Sequence, residues 1–288
     1  MFESLFLNPQ HDMHFAYTSS YDIPMVITSV LIAIFASFCA FEMVERLAHC
    51  TKRSFWLPVG AVILGGGVWA MHFIGMLAFR LSCGMTYEPW ISAFSMVPAI
   101  FAAAVALDTI ASEKISVRKL AFAGIVMALG IGLMHFSGMA SIRLDGILRY
   151  DPAMFVVALL AASALAVTAL LIKSFLDRLP TITLPFVSSL IGGIVLGCAI
   201  SSMHYIAMEA AHFIHQHPNG DETVIIATSP TILAVAVAAV AVAAVAIVLI
   251  FSGLLFTFLG TKITHARNRI EAILSTTSHG FVMMDVNN

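Results

Sequence analysis

Three copies of one short stretch hold the side chains of this sequence that could do chemistry: Met71-His72-Phe73-Ile74-Gly75-Met76, Met134-His135-Phe136-Ser137-Gly138-Met139 and Met203-His204-Tyr205-Ile206-Ala207-Met208. Each copy lies late in a long apolar segment. In a helix, a histidine and the methionine four residues on share one face a turn apart, so each copy offers an imidazole nitrogen and a thioether sulfur in the same direction. Three such pairs can converge on one ion. A single histidine in an apolar helix is ordinarily a hydrogen-bonded packing residue, and methionine is common there. Ionisable side chains inside a membrane are costly, however, and usually functional, and duplication alone does not explain why the costly residue stands in every copy. The pattern points to a shared polar or metal site built on His72, His135 and His204 with Met76, Met139 and Met208, and with Met71, Met134 and Met203 beside them.

The chain that must position these residues is 60% hydrophobic and 10% charged, which excludes a soluble domain and places most of it in lipid. A net charge of −2 gives no reason to expect a nucleic-acid partner. The four cysteines, Cys39, Cys50, Cys83 and Cys198, form no CxxC pair and no disulfide framework. The N-terminus carries acids rather than a basic stretch before a cleavable apolar core, so no signal peptide is expected.

Residues 1–22 contain no Lys or Arg and read as an external tail. Apolar runs of spanning length follow at about 23–46, 55–79, 89–111, 120–143, 152–172, 184–211 and 230–260. The expected fold is therefore an all-α integral membrane domain of seven transmembrane helices over residues 23–260. With the C-terminus in the cytoplasm, only Arg80, Arg143 and Arg149 of the fourteen Lys and Arg lie outside, as the positive-inside rule requires. The N-terminus is then outside, and the three motif histidines share one depth in the outer part of the membrane.

The repetition extends past the motif. Odd-numbered spans open with Tyr21-Asp22-Ile23-Pro24, Tyr87-Glu88-Pro89 and Tyr150-Asp151-Pro152, so the first six spans read as three tandem helix pairs followed by a seventh helix. An acid before a first-turn proline caps free N–H groups and complements the helix dipole; these acids are caps, not catalysts. Gly67, Gly130 and Ala199, with Gly75, Gly138 and Ala207, bracket the histidines with small residues that would let the motif helices meet. The seventh span carries no motif and leads into the tail. Residues 261–277 read as an amphipathic cytoplasmic linker helix, and residues 278–288 as the start of a further domain opening with a strand at Phe281–Val286, so the sequence is expected to be a piece of a longer protein.

Other polar residues are weaker candidates. His14, His212, His215 and His217 could feed or complete a metal site. Glu209, beside the third motif, has no counterpart in the other copies; Glu42 and Asp108 near the inner helix ends read as interfacial. No Ser/His/Asp grouping, phosphate-binding glycine loop or catalytic carboxylate pair is present, and the seventh helix has no internal Lys for a retinal Schiff base. No enzyme activity is expected of this span.

The three Met-His-(Phe/Tyr)-x-(Gly/Ala)-Met motifs, the seven spans and the Tyr-acid-Pro openings together resemble the bacterial MHYT integral-membrane sensor family over about residues 16–260. The resemblance implies a sensor module of the bacterial inner membrane that binds copper through the nine motif His and Met residues, detects oxygen, CO or NO, and relays to cytoplasmic output. The fourth motif position here is Ile74, Ser137 and Ile206, never Thr. The tail from about Asn268 resembles the opening of a PAS domain, which in this family leads to cyclic-di-GMP turnover or kinase modules of the same polypeptide; by the same analogy the sensor is a homodimer. Independently, thioethers are soft ligands that suit Cu(I), whereas calcium and magnesium want oxygen. Zinc held by the histidines and haem held between two of them are the other cofactors considered. A metal-ion transporter or channel and a membrane haem or copper redox protein are the competing functions. The inner halves of the motif helices hold no charge apart from boundary positions, which favours a dead-end site over transport.

Overall fold

The computed structural model describes residues 6–7, 16–47, 53–82, 85–112, 115–179, 185–215, 232–237 and 239–240. In lipid each backbone polar group must bond within its own segment, and the apolar runs accordingly form helices: α1 Ile23–Leu47, α2 Arg53–Ala78, α3 Pro89–Phe94, α4 Met96–Ile110, α5 Val117–Met139, α6 Pro152–Leu176 and α7 Pro185–Glu209. α3 and α4 continue one another across Ser95 and make a single span. Six stretches among the described residues are thus long and apolar enough to cross a membrane. The expected caps form: Glu88 accepts from the N–H groups of Trp90 and Ile91, Asp151 from those of Ala153 and Met154, and Asp22 from that of Met25.

The spans pack in a closed ring, α1 to α2 to α4 to α5 to α6 to α7 and back to α1. Motif helices α2, α5 and α7 alternate around it with α1, α4 and α6, and also touch one another across the axis. Burial follows that placement: 83%, 56% and 56% of the α2, α5 and α7 spans are buried, against 28–39% of the other three. The ring closes where Gly193 and Gly197 of α7 lie against the backbone of Phe38 and Ile34 of α1, too near for a side chain.

The bracketing small residues divide their work rather than all joining motif helices. Gly67 meets Ala36 of α1 and Gly130 meets Ala102 of α4, so these two admit the intervening helices. Gly75 and Gly138 alone of the four glycines face a neighbouring motif helix.

The all-α expectation gains three short clasps. Strand β1 (Ser19–Tyr21) pairs antiparallel with β2 (Phe79–Leu81), β3 (Thr86–Tyr87) with β4 (Ile142–Arg143), and β5 (Ile147–Tyr150) with β6 (Ala211–Ile214). Each clasp joins the residues before the first helix of a pair to those after the second. The backbone N–H groups of Asp22, Glu88 and Asp151 donate to the carbonyls of Ala78, Ser141 and Ala210 at 2.9, 2.7 and 2.8 Å, in every case the sixth residue past the motif histidine. The helix-pair repeat is therefore real in three dimensions. α5 ends at Met139 rather than near 143 because Ile142 and Arg143 are taken into β4.

Residues 6–7 and 16–17 of the N-terminal tail lie on the third clasp: Leu7 N–H donates to the carbonyl of Tyr150 and Tyr17 N–H to that of Phe213. Residues 232–237 and 239–240 of the expected seventh span are helical, with Leu233 and Val237 buried and Val240 near Gly66 of α2. The rest of that span, the linker at 261–277 and the strand at Phe281–Val286 lie outside the described residues.

Candidate metal centre

Each motif helix delivers one imidazole to the axis. His72 from α2, His135 from α5 and His204 from α7 are 0%, 0% and 1% exposed. Their Nδ1 atoms form a nearly equilateral triangle: 3.1 Å from His72 to His204, and 3.2 Å from His135 to each of the others. The rings stand edge to face, with centroids 4.9, 5.1 and 5.2 Å apart and planes at 77°, 84° and 76°. Their Nε2 atoms are buried and have no hydrogen-bond partner.

The aromatic residue after each histidine braces it from the side, Phe73, Phe136 and Tyr205 lying 4.8, 4.9 and 4.8 Å from the adjacent rings. Each brace then packs on the tyrosine that opens the next helix pair: Phe73 on Tyr87, Phe136 on Tyr150, and Tyr205 on Tyr21, which closes the circle. Burial pushes the Tyr21, Tyr87 and Tyr150 phenols up from their ordinary value. Tyr205 differs from its two phenylalanine counterparts by a hydroxyl, which shares a 2.7 Å hydrogen bond with Ser29 of α1.

Three imidazole nitrogens in mutual contact cannot satisfy one another. With one Nδ1 protonated, the other two oppose lone pairs; with two protonated, two N–H groups oppose each other; with none or all three, every contact is repulsive. A cation on the axis makes all three attractive. The centre of a 3.2 Å triangle lies about 1.8 Å from each corner (the edge divided by √3), so an ion at the usual imidazole–metal distance of about 2.0–2.1 Å reaches all three from slightly off their plane. The donor set fits a metal ion, and His72, His135 and His204 would hold it. No carboxylate or thiolate joins the group among the described residues.

Met71, Met76, Met134, Met139, Met203 and Met208 are all buried in the surrounding core. Met203 reaches toward Gly132 of α5, close to one turn before His135. Neither of the two described auxiliary histidines joins the triad. His212 sits in β6 opposite Arg149, and exposed His215 stacks on Tyr17 at 5.5 Å; His14 and His217 lie outside the described residues. Glu209 and Asp108 are exposed.

Sequence reasoning missed a second polar cluster at the other end of the bundle. Lys173 of α6, one of the basic residues assigned to the cytoplasmic side, is fully buried, 2.5 Å from Asp177, which also accepts from Ser188 of α7; the ammonium lies 5.6 Å from the Phe41 ring of α1. The sequence shows only a four-residue Lys-to-Asp spacing, which a surface pair shares.

Comparison with known proteins agrees with this architecture. The chain matches the bacterial signalling protein N-terminal repeat, MHYT, over residues 13–55, 65–123, 129–184 and 197–258. Those repeats are phased from each motif helix into the following helix, and the first opens at Met13-His14-Phe15, an echo of Met-His-aromatic. Two Pseudomonas aeruginosa proteins are similar: the bifunctional diguanylate cyclase/cyclic di-GMP phosphodiesterase MucR, 35% identical over 68% of this chain and 28% of its own length, and the cyclic di-GMP phosphodiesterase NbdA, 31% identical over 66% and 24%. Signaling protein YkoW of Bacillus subtilis is 31% identical over 67% and 24%. The chain thus spans about a quarter of the length of these relatives, and the part that aligns is the signalling repeat. No solved structure matches it. Repeated motif, helical architecture and sequence similarity converge: the chain is a multi-pass membrane protein and belongs to the MHYT family of bacterial signalling proteins.

Proposed function

We propose that this domain is a membrane signal-input module whose three-histidine centre holds copper, senses a diatomic gas (oxygen, CO or NO), and relays the change to a cytoplasmic output of the same polypeptide. The Nδ1 triangle carries this reading. Three neutral imidazoles in a water-excluded bundle, with no carboxylate beside them among the described residues, hold a single positive charge at far less cost than two, because charging energy rises as the square of the charge. That supports Cu(I) over Zn(II). Touching rings also leave no gap for a porphyrin between any two histidines, whose nitrogens would have to stand about 4 Å apart across an iron. A bound Cu(I) would supply a soft centre able to take up a small neutral ligand. The histidines orient their nitrogens, the aromatic braces fix the rings, and the core excludes water.

In this reading the nine motif His and Met residues form the site and its wall, the N-terminus is outside, the C-terminus is cytoplasmic, and the domain sits in the inner membrane as a homodimer. Cyclic-di-GMP turnover is the proposed output, by similarity to the named relatives. The test is elemental analysis of detergent-purified protein beside the folded triple variant His72→Ala/His135→Ala/His204→Ala. Copper near one per chain in the parent and absent from the variant is expected. No metal in the parent after copper loading under reducing conditions sinks the reading, and flux of labelled copper into proteoliposomes would replace it with transport.

A further inference from the structure

Metal-bound histidines elsewhere are usually held by a hydrogen bond from the distal ring nitrogen. Here the three Nε2 atoms are buried without a partner, so something else must keep Nδ1 on the axis. A methyl group added at Gly138 would collide with Nε2 of His72 and lie 2.9 Å from its Cδ2. One added at Gly75 would collide with Nε2 of His204 and lie 3.0 Å from its Cδ2. Both glycines occupy the same place in the motif, three residues after the histidine. Both receive the ring of the preceding copy in the cycle, the third on the first and the first on the second.

We propose that Gly75 and Gly138 are positioning residues that select the donor atom: by ceding the Cβ space to the Nε2 edge of a neighbouring imidazole, α2 fixes His204 and α5 fixes His72 with Nδ1 facing the axis. This rests on the metal reading for its consequence, but the steric contact stands without it. It gives the glycine of the first two copies a cause, since a methyl there would displace the ring of His204 or His72; the third copy carries Ala207 in that place. The obstruction falls on the tip of a flexible side chain, so the ring can swing while the helices keep their course. At Gly65, by contrast, a methyl would strike the Ile100 backbone at 2.6 Å, and the helices themselves would have to part.

The full chain, labelled with 15N-histidine in detergent and titrated with 109Ag(I), tests the proposal. The parent is expected to show silver–nitrogen coupling on Nδ1 of all three histidines. Gly138→Ala is expected to lose the coupling at His72 and to bind silver roughly 10–100-fold more weakly, the usual penalty for losing a positioning contact. Gly66→Ala, where the added methyl meets Val240 at an ordinary 3.5 Å, serves as the control and should match the parent. Coupling on Nε2 in the parent, or three undisturbed Nδ1 couplings in Gly138→Ala, overturns the assignment. A double-mutant cycle needs no metal: Gly138→Ala should lower the unfolding midpoint in the parent but not in a His72→Ala background. If the parent binds no silver, the metal reading falls and the cycle decides the steric contact, additivity refuting it.

Discussion

Each motif residue has a separate job, and only part of that division was legible beforehand. Histidine recurring at one position in three apolar helices announced a shared site; which nitrogen faces inward did not show, because that depends on a neighbouring helix. The aromatic position is clearer in retrospect. Phe73, Phe136 and Tyr205 brace their own histidine against the next opening tyrosine, and the hydroxyl of Tyr205 is an addition bonded to Ser29, which also donates to the carbonyl of Val26. Since two copies manage with phenylalanine, Tyr205→Phe should leave metal content unchanged. It should cost about 0.5–1.5 kcal/mol, the net value of one hydrogen bond, read from unfolding in detergent. Loss of metal in that variant would show that the hydroxyl serves the centre.

At the scale of elements, the helices were readable because their signals are local: apolar runs of spanning length and an acid before a proline. The clasps were not, since strands of two to four residues show no alternation and exist only by pairing across the repeat. One tyrosine sits in each clasp, Tyr87 and Tyr150 buried and Tyr21 partly so, and desolvation raises each phenol. The folded state therefore keeps a proton that the unfolded chain releases near pH 10. That contribution to stability is complete below about pH 10 and declines as pH rises past it toward the raised folded values. Alkaline unfolding should begin in this range, and Tyr87→Phe should shift its midpoint to higher pH. An unshifted midpoint would place the alkaline sensitivity elsewhere.

The whole bundle is a pseudo-threefold ring with a buried polar cluster toward each end, and the sequence exposed only the end that repeats. Lys173 occurs once, so no periodicity advertises it, and its four-residue spacing to Asp177 looks like a surface pair. It lies about 30 Å along α6 from the clasp end, where its partner Asp177 ties α6 to α7 by accepting from Ser188 and the ammonium itself lies over Phe41 of α1. The two partners are not equivalent: the lysine side chain is 0% exposed and the aspartate 28%. Removing the carboxylate charge strands the deeper ion, whereas removing the ammonium leaves an anion that Ser188 and nearby solvent still stabilise. Breaking a buried pair costs about 3–5 kcal/mol, and Asp177→Asn should approach that figure while Lys173→Met falls short of it. The double variant should recover much of the loss, because neither ion remains uncompensated. Metal content should hold in all three, since the pair is remote from the histidines. Thermal unfolding beside elemental analysis separates these outcomes: equal single-variant losses would mean that the pair is as solvated as a surface bridge, and metal loss would mean that the two ends of the ring are mechanically coupled.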